Sequence, residues 1–145
     1  MGLTAAEYMV DHWPLLAKLR WALHPEANVR LAVIYGSVAR GEEEPDSDLD
    51  LLVSLREDHP DAAVKLAVRL ERALGREVDV ARLNRIQNTA PLLLLQAIDE
   101  GRVVLDRDLQ WESLRAQRAN IARRARYSHA ARRRRTRASV GEIQV

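Results

Sequence analysis

Two short apolar runs, held a fixed distance apart by a glycine turn and an acidic loop, constrain this chain more than any other feature. Leu31-Ala32-Val33-Ile34-Tyr35 is partly β-branched and ends at Gly36-Ser37. Ten residues separate Ser37 from Asp48, where Ser47-Asp48-Leu49-Asp50 opens a second apolar run that reaches Ser54. Runs of this length, bounded by turn residues, read as buried strands. Successive strand side chains face opposite ways, so Asp48 and Asp50 share one side while Leu49 and Leu51 enter the core. The fold must therefore hold two carboxylates beside a glycine turn.

Before the first strand, Met9, Trp13, Leu16, Leu19 and Leu23 recur at three- and four-residue steps, and Thr4 with Glu7 forms a capping-box pattern. An amphipathic helix is expected there, kinked or broken at Pro14. Ser37-Val38-Ala39-Arg40 suits a short helix ahead of the loop Glu42-Glu43-Glu44-Pro45-Asp46. Pro60 opens a helix with an Ala63, Leu66, Ala67, Leu70, Ala73, Leu74 face, closed by Gly75. Arg76 to Leu83 alternates as a third strand, Ala90 to Ile98 is helical, Arg102 to Asp106 is short and extended, and a charged helix covers Leu109 to about Arg126. We expect an α/β (α+β) fold, a small mixed sheet with flanking helices packed on one face. The organisation expected is an N-terminal helical extension at 1–26, a core at 27–108, a C-terminal helix at 109–126 and an arginine-rich, flexible tail at 127–145.

The 145 residues suit one domain. With no cysteine, disulfides, thiolate zinc sites and a cysteine nucleophile are excluded. No apolar run approaches the length of a bilayer and the amino terminus does not resemble a signal peptide, so a soluble, cytoplasmic protein without membrane contact is expected. The net charge of +2 divides unevenly: residues 1–122 carry fifteen Lys/Arg against twenty Asp/Glu, whereas residues 123–145 carry eight Arg against one Glu. The body is mildly acidic, and the basic character belongs to the tail.

Two carboxylates on one strand repel unless a cation lies between them, which makes Asp48 and Asp50 candidate ligands for a divalent metal. Magnesium, which takes a few carboxylates plus phosphates and water, suits such an open pair. Asp79, outward between Val78 and Val80 on the third strand, is a candidate third ligand. Three carboxylates around two metal ions can activate an attacking hydroxyl and stabilise a leaving pyrophosphate. Gly36 allows close backbone approach, the amides after it can face a phosphate, Ser37 adds a hydroxyl, and Arg40 adds a forked cation.

Gly36-Ser37-Val38-Ala39-Arg40-Gly41 followed by Ser47-Asp48-Leu49-Asp50-Leu51-Leu52-Val53 resembles the signature of the minimal nucleotidyltransferases of the DNA polymerase β superfamily. The resemblance covers about residues 28–108, with Asp79 of Glu77-Val78-Asp79-Val80 in the place of the later aspartate. It implies a polymerase-β-like nucleotidyltransferase fold, with ATP held by Gly36, Ser37, Arg40 and Ser47. Two Mg2+ ions would be held by Asp48, Asp50 and Asp79, which are also the catalytic residues. Compact members of this family often serve as the antitoxin of a toxin–antitoxin pair, moving AMP from ATP onto a tyrosine of a HEPN-type toxin. Relatives with an added domain modify aminoglycosides.

The resemblance thus implies ATP and a HEPN-type toxin as partners. Two alternatives stand beside it: an antitoxin that acts by docking, with a vestigial nucleotide site, and a small-molecule (antibiotic) nucleotidyltransferase. The helix bearing Tyr8, Trp13 and Trp21 and the arginine-rich tail are the parts outside the family pattern, and neither is expected to touch the motif. Those three aromatics are expected in the helix-packing core. Arg123, Arg124, Arg126, Arg132 to Arg135 and Arg137 suit either RNA phosphates, an acidic partner, or a solvated arm. A homo-oligomer is compatible with the sequence, and no role falls to His12, His24 or His59.

Overall fold

The two apolar runs form the central antiparallel pair of a four-stranded sheet. The computed structural model describes residues 4–127, so Arg132 to Arg135, Arg137 and the rest of the tail beyond Tyr127 lie outside the described residues. In chain order the elements are α1 (Ala5–Leu23), β1 (Val29–Tyr35), α2 (Gly36–Arg40), β2 (Leu49–Leu55), α3 (Pro60–Leu74), β3 (Val78–Arg82), α4 (Leu83–Thr89), α5 (Pro91–Glu100), β4 (Arg102–Asp106) and α6 (Gln110–Ala116). A last helical run, α7, covers 118–127. The strand order is β3-β2-β1-β4, with β2 and β3 parallel and the other pairs antiparallel. No helix among the described residues is long and apolar enough to cross a membrane.

Helices cover both faces of this sheet, not one. Ala32, Ile34, Leu49, Leu51, Val53 and Val104 pack with α1 and α3, whereas Leu31, Val33, Tyr35 and Leu52 pack with α4, α5, α6 and Ile121 of α7. The physical reason lies in β1: every residue from Leu31 to Tyr35 is apolar and buried, and a strand without a polar face needs cover on both sides. Each fully buried Leu or Ile contributes about 1.5–3 kcal/mol of transfer free energy.

The capping box at Thr4 and Glu7 forms as expected, but α1 runs unbroken through Pro14. Pro14 has no N–H for the carbonyl of Val10, and Val10 is 79% exposed, so the missing bond falls on the solvent side. The buried face of α1 is Tyr8, His12, Leu16, Leu19 and Leu23. Met9, Trp13 and Trp21 are exposed, which corrects the expectation that Trp13 and Trp21 join the core. On α3, Ala63, Leu66 and Leu70 face inward and Gly75 ends the helix in the left-handed region at φ 68°, as the sequence indicates. The residues after β3 form α4, a helix with no counterpart in the expected order, and the helix expected from Leu109 is divided at Gln117 into α6 and α7.

Candidate active site

β1 delivers the chain to Gly36 in an extended conformation, and Gly36 then turns it at φ 76°. That conformation strains any residue with a Cβ, and a Cβ here would also overlap Oδ2 of Asp50. The glycine is thus required twice, for the turn and for close approach to the carboxylate. The five-residue α2 follows and ends at Gly41, whose amide donates to the Val38 carbonyl at 3.2 Å.

Register brings the expected carboxylates together. Tyr35 of β1 lies opposite Asp50, and Asp50 lies beside Asp79 across the parallel β2/β3 pair. Leu49 and Leu51 are fully buried on the opposite face, so Asp48, Asp50 and Asp79 share the face covered by α5. Asp50 is partly buried, while Asp48 and Asp79 are exposed. Burial, then the charges of Asp79 and Asp48, raise the carboxyl of Asp50 above its ordinary value, and Arg40 offsets part of this. Tyr35 is raised by burial and by Asp50, Asp79 and Glu100. Glu77 is raised by its hydrogen bond with the Asp48 carboxylate and by that group's charge.

Among the described residues, no three acidic or imidazole groups close into a cage for a metal ion. What stands there is an open set of hard oxygen donors, with Asp50 penalised by its neighbours' charge. That suits a cation that keeps water and substrate phosphates in its shell.

The donors expected to face a triphosphate are held by a residue that the motif does not reveal. The Gly36 amide donates to Oε1 of Glu100 at 2.7 Å, and Nη1 of Arg40 donates to Oε2 of Glu100 at 2.9 Å. Gln96 adds a third donor to Glu100 at 2.8 Å. Although burial raises the Glu100 carboxyl, these partners together hold it below its ordinary value. Among the described residues, Ser37 forms no side-chain bond, and its carbonyl accepts from the Glu42 amide at 2.9 Å. The hydroxyl of Ser47 accepts from the Glu44 amide at 2.8 Å and closes the acidic loop. The Ser47 carbonyl accepts from Nη2 of Arg76 at 2.6 Å, which fixes the entry to Asp48.

α1, expected to stay clear of the motif, is bonded to it. The Tyr8 hydroxyl donates to the Val38 carbonyl at 3.0 Å, and Nε of Arg102 donates to the Ala39 carbonyl at 2.6 Å while its guanidinium lies 3.6 Å from the centre of the Tyr8 ring. Two carbonyls of α2 are thereby satisfied from outside the helix. Burial pushes the Tyr8 hydroxyl up to about 12, with Arg102 acting against it. His12 stacks on Tyr8 at 4.1 Å and reaches Glu43 of the acidic loop through Nε2. A histidine and a tyrosine on a helix face carry no local mark of such a role.

Comparison with known proteins bears on the family and the fold. The profile of the family described as polymerase beta, nucleotidyltransferase, matches residues 17–110. A relative from Methanocaldococcus jannaschii, named as a candidate protein adenylyltransferase, is 41% identical over 78 residues, which cover 53% of this chain and 81% of the relative. Among solved structures, a chain from a toxin–antitoxin structure with AMP-PNP superposes with a TM-score of 0.64 at 20% identity, covering 90% of this chain and 98% of its own. A chain from a tri-AMPylated Shewanella oneidensis HEPN toxin in complex with an MNT antitoxin gives a TM-score of 0.55 at 18% identity, covering 95% and 99% respectively. At these identities the superpositions show a shared fold.

Proposed function

The chain belongs to the polymerase β nucleotidyltransferase family, and from that membership we propose that it transfers AMP from ATP to a protein hydroxyl, a tyrosine of a HEPN-type toxin. The observation that carries this reading is the side-by-side placement of Asp50 and Asp79, with Asp48 acting on Asp50, next to the Gly36–Arg40 turn. In the reaction the acceptor oxygen forms a bond to the α-phosphorus, the bond from that phosphorus to the bridging oxygen breaks, and pyrophosphate leaves with the electron pair. Asp79, exposed and beside Asp50, takes the hydroxyl proton. Asp48, Asp50 and Asp79 would hold two Mg2+ ions, which when bound supply positive charge to the phosphates. Gly36, Ser37 and Arg40 bind the triphosphate, and Ser47 shapes the loop that presents Asp48.

The protein acceptor is supported by the name of the 41%-identical relative, and the HEPN toxin by the partner in the superposed complexes. The test is incubation with α-labelled ATP, Mg2+ and a HEPN protein encoded beside this chain. Label should appear on the HEPN protein, disappear when its tyrosines are replaced, and be absent with Asp48→Ala/Asp50→Ala. Neutralisation of the toxin by wild type and double variant alike, with no label, would instead establish an antitoxin that works by docking.

A further inference from the structure

The carboxylates lie near the carboxyl end of α5, and the amino end of the same helix borders a cavity that the transfer reaction does not use. This cavity, of about 390 Å3, is lined by Gln87, Asn88, Pro91, Arg123, Arg124 and Tyr127. Pro91, at its edge, stands nine helical steps from Glu100, about 14 Å at the rise of an α-helix.

Three features there point to a phosphate. First, ion pairs among the described residues engage Arg30, Arg40, Arg69, Arg82, Arg115 and Arg118, but none pairs a described carboxylate with Arg123 or Arg124. Second, no acidic residue among the described residues lines this cavity, in contrast to the cavities bordered by Glu26 and Asp61 or by Asp99 and Glu112. Third, the N-cap of α5, Ala90, offers no side-chain cap, so the amides of Leu92 and Leu93 have no partner among the described residues and form the positive end of the helix dipole. The remaining lining favours a nucleotide over an acidic peptide. Tyr127 is 76% exposed and offers a ring for stacking, and Asn88, whose amide nitrogen is bonded to the Asn84 carbonyl at 3.2 Å, has no partner for its side-chain oxygen among the described residues, which leaves it for a base edge.

We propose that this cavity binds single-stranded nucleic acid, with Arg123, Arg124 and the start of α5 on the phosphates and a base stacked on Tyr127.

The full chain is titrated into fluorescein-labelled U12 and dT12, followed by anisotropy between 50 and 200 mM salt. A preference between the two strands tells RNA from DNA. Arg123→Gln/Arg124→Gln should weaken binding at least ~10-fold and lower the salt slope by about 1.4, the value for two phosphates on a single strand. Tyr127→Ala should weaken it about 10-fold and Tyr127→Phe should not. Transfer of AMP and thermal stability should be unchanged in all three. The proposal is overturned if no strand binds, or if the arginine pair variant binds as tightly as wild type while loss of residues 128–145 abolishes binding. It is overturned equally if polyglutamate binds more tightly than either oligonucleotide, which would assign the cavity to an acidic protein.

Discussion

The amide of Gly36 donates to the side chain of Glu100 at 2.7 Å, across 64 residues of sequence. Glu100 also takes Arg40, so one carboxylate occupies two of the donors that a triphosphate would use. A phosphate entering here competes with Glu100 for Arg40 and is repelled by its charge. Glu100→Gln keeps an acceptor for the Gly36 amide and removes the charge. It should lower the KM for ATP about 3- to 10-fold, about 0.7–1.4 kcal/mol at 1.4 kcal/mol per decade. Glu100→Ala leaves a buried amide unsatisfied, a loss of about 1–3 kcal/mol, and should lower kcat instead. Initial rates of AMP transfer against ATP concentration separate the two. An unchanged or higher KM in the glutamine variant would mean that the carboxylate is needed to aim Arg40.

Asp50→Asn should abolish transfer and yet stabilise the fold. The Asp50 carboxyl is raised in the folded protein, by burial first and by Asp79 and Asp48 next. A raised carboxyl makes its charged form unfavourable in the native state, so the wild type carries that penalty at neutral pH. The penalty fades as pH falls through the raised pKa toward the ordinary value of 3.8. The variant should therefore melt higher at pH 7 than the wild type, and the gain should vanish as pH falls to the ordinary value of 3.8. Mg2+ should raise the melting temperature of the wild type and not of the variant. Equal response of both proteins to Mg2+ would remove Asp50 from the proposed metal site.

The motif was legible because it is local. Glycine after an apolar run, a ten-residue interval and alternating aspartates specify β1, α2 and β2 within 24 residues, and register then carries Asp79 alongside. Glu100 was not legible, since a glutamate at the end of a helix resembles any solvated residue until the fold brings it to Gly36. The face of α1 was misread because two phases fit its spacing. Met9 and Trp13 or Tyr8 and His12 can each precede Leu16, Leu19 and Leu23 at three- or four-residue steps. Hydropathy favours the first pair. The second is buried because the Tyr8 hydroxyl and the His12 ring find partners in Val38, Glu43 and the helix backbone, which removes the cost of burying polar atoms. α4 begins without a side-chain cap and spans seven residues, too few for periodicity to declare it.

Tyr8→Phe should test whether α1 holds the glycine turn. The ring, its stack on His12 and its contact with Arg102 survive, and only the hydrogen bond to the Val38 carbonyl is lost. The Val38 carbonyl keeps the Gly41 amide, so the loss is that of one hydrogen bond, about 0.5–1.5 kcal/mol, measurable by urea unfolding. Because Val38 sits two residues after Gly36, the rate of transfer should fall as well, with little change in the amount of HEPN protein bound. Loss of stability at an unaltered rate would make Tyr8 a packing residue only.

Gly36→Ala is the sharpest single change, because conformation and contact act together. An alanine in the left-handed region costs about 1–2 kcal/mol relative to ordinary backbone, a cost that the fold can bear. The added methyl, however, enters the space of Oδ2 of Asp50, so either that carboxylate rotates away from Asp79 or the turn opens and releases Glu100. The first outcome separates the proposed metal ligands and the second withdraws the proposed backbone donor from the triphosphate. Either should lower AMP transfer by at least 100-fold, about 2.7 kcal/mol of barrier. Melting temperature should fall by only about 3–8 °C. The double variant Gly36→Ala/Asp50→Asn distinguishes the clash from the strain, since an amide side chain beside Asp79 lacks the charge that resists displacement. If the melting temperature of the double variant equals that of Asp50→Asn alone, the strain at φ 76° is absorbed by the turn, and the glycine is there to make room for the carboxylate.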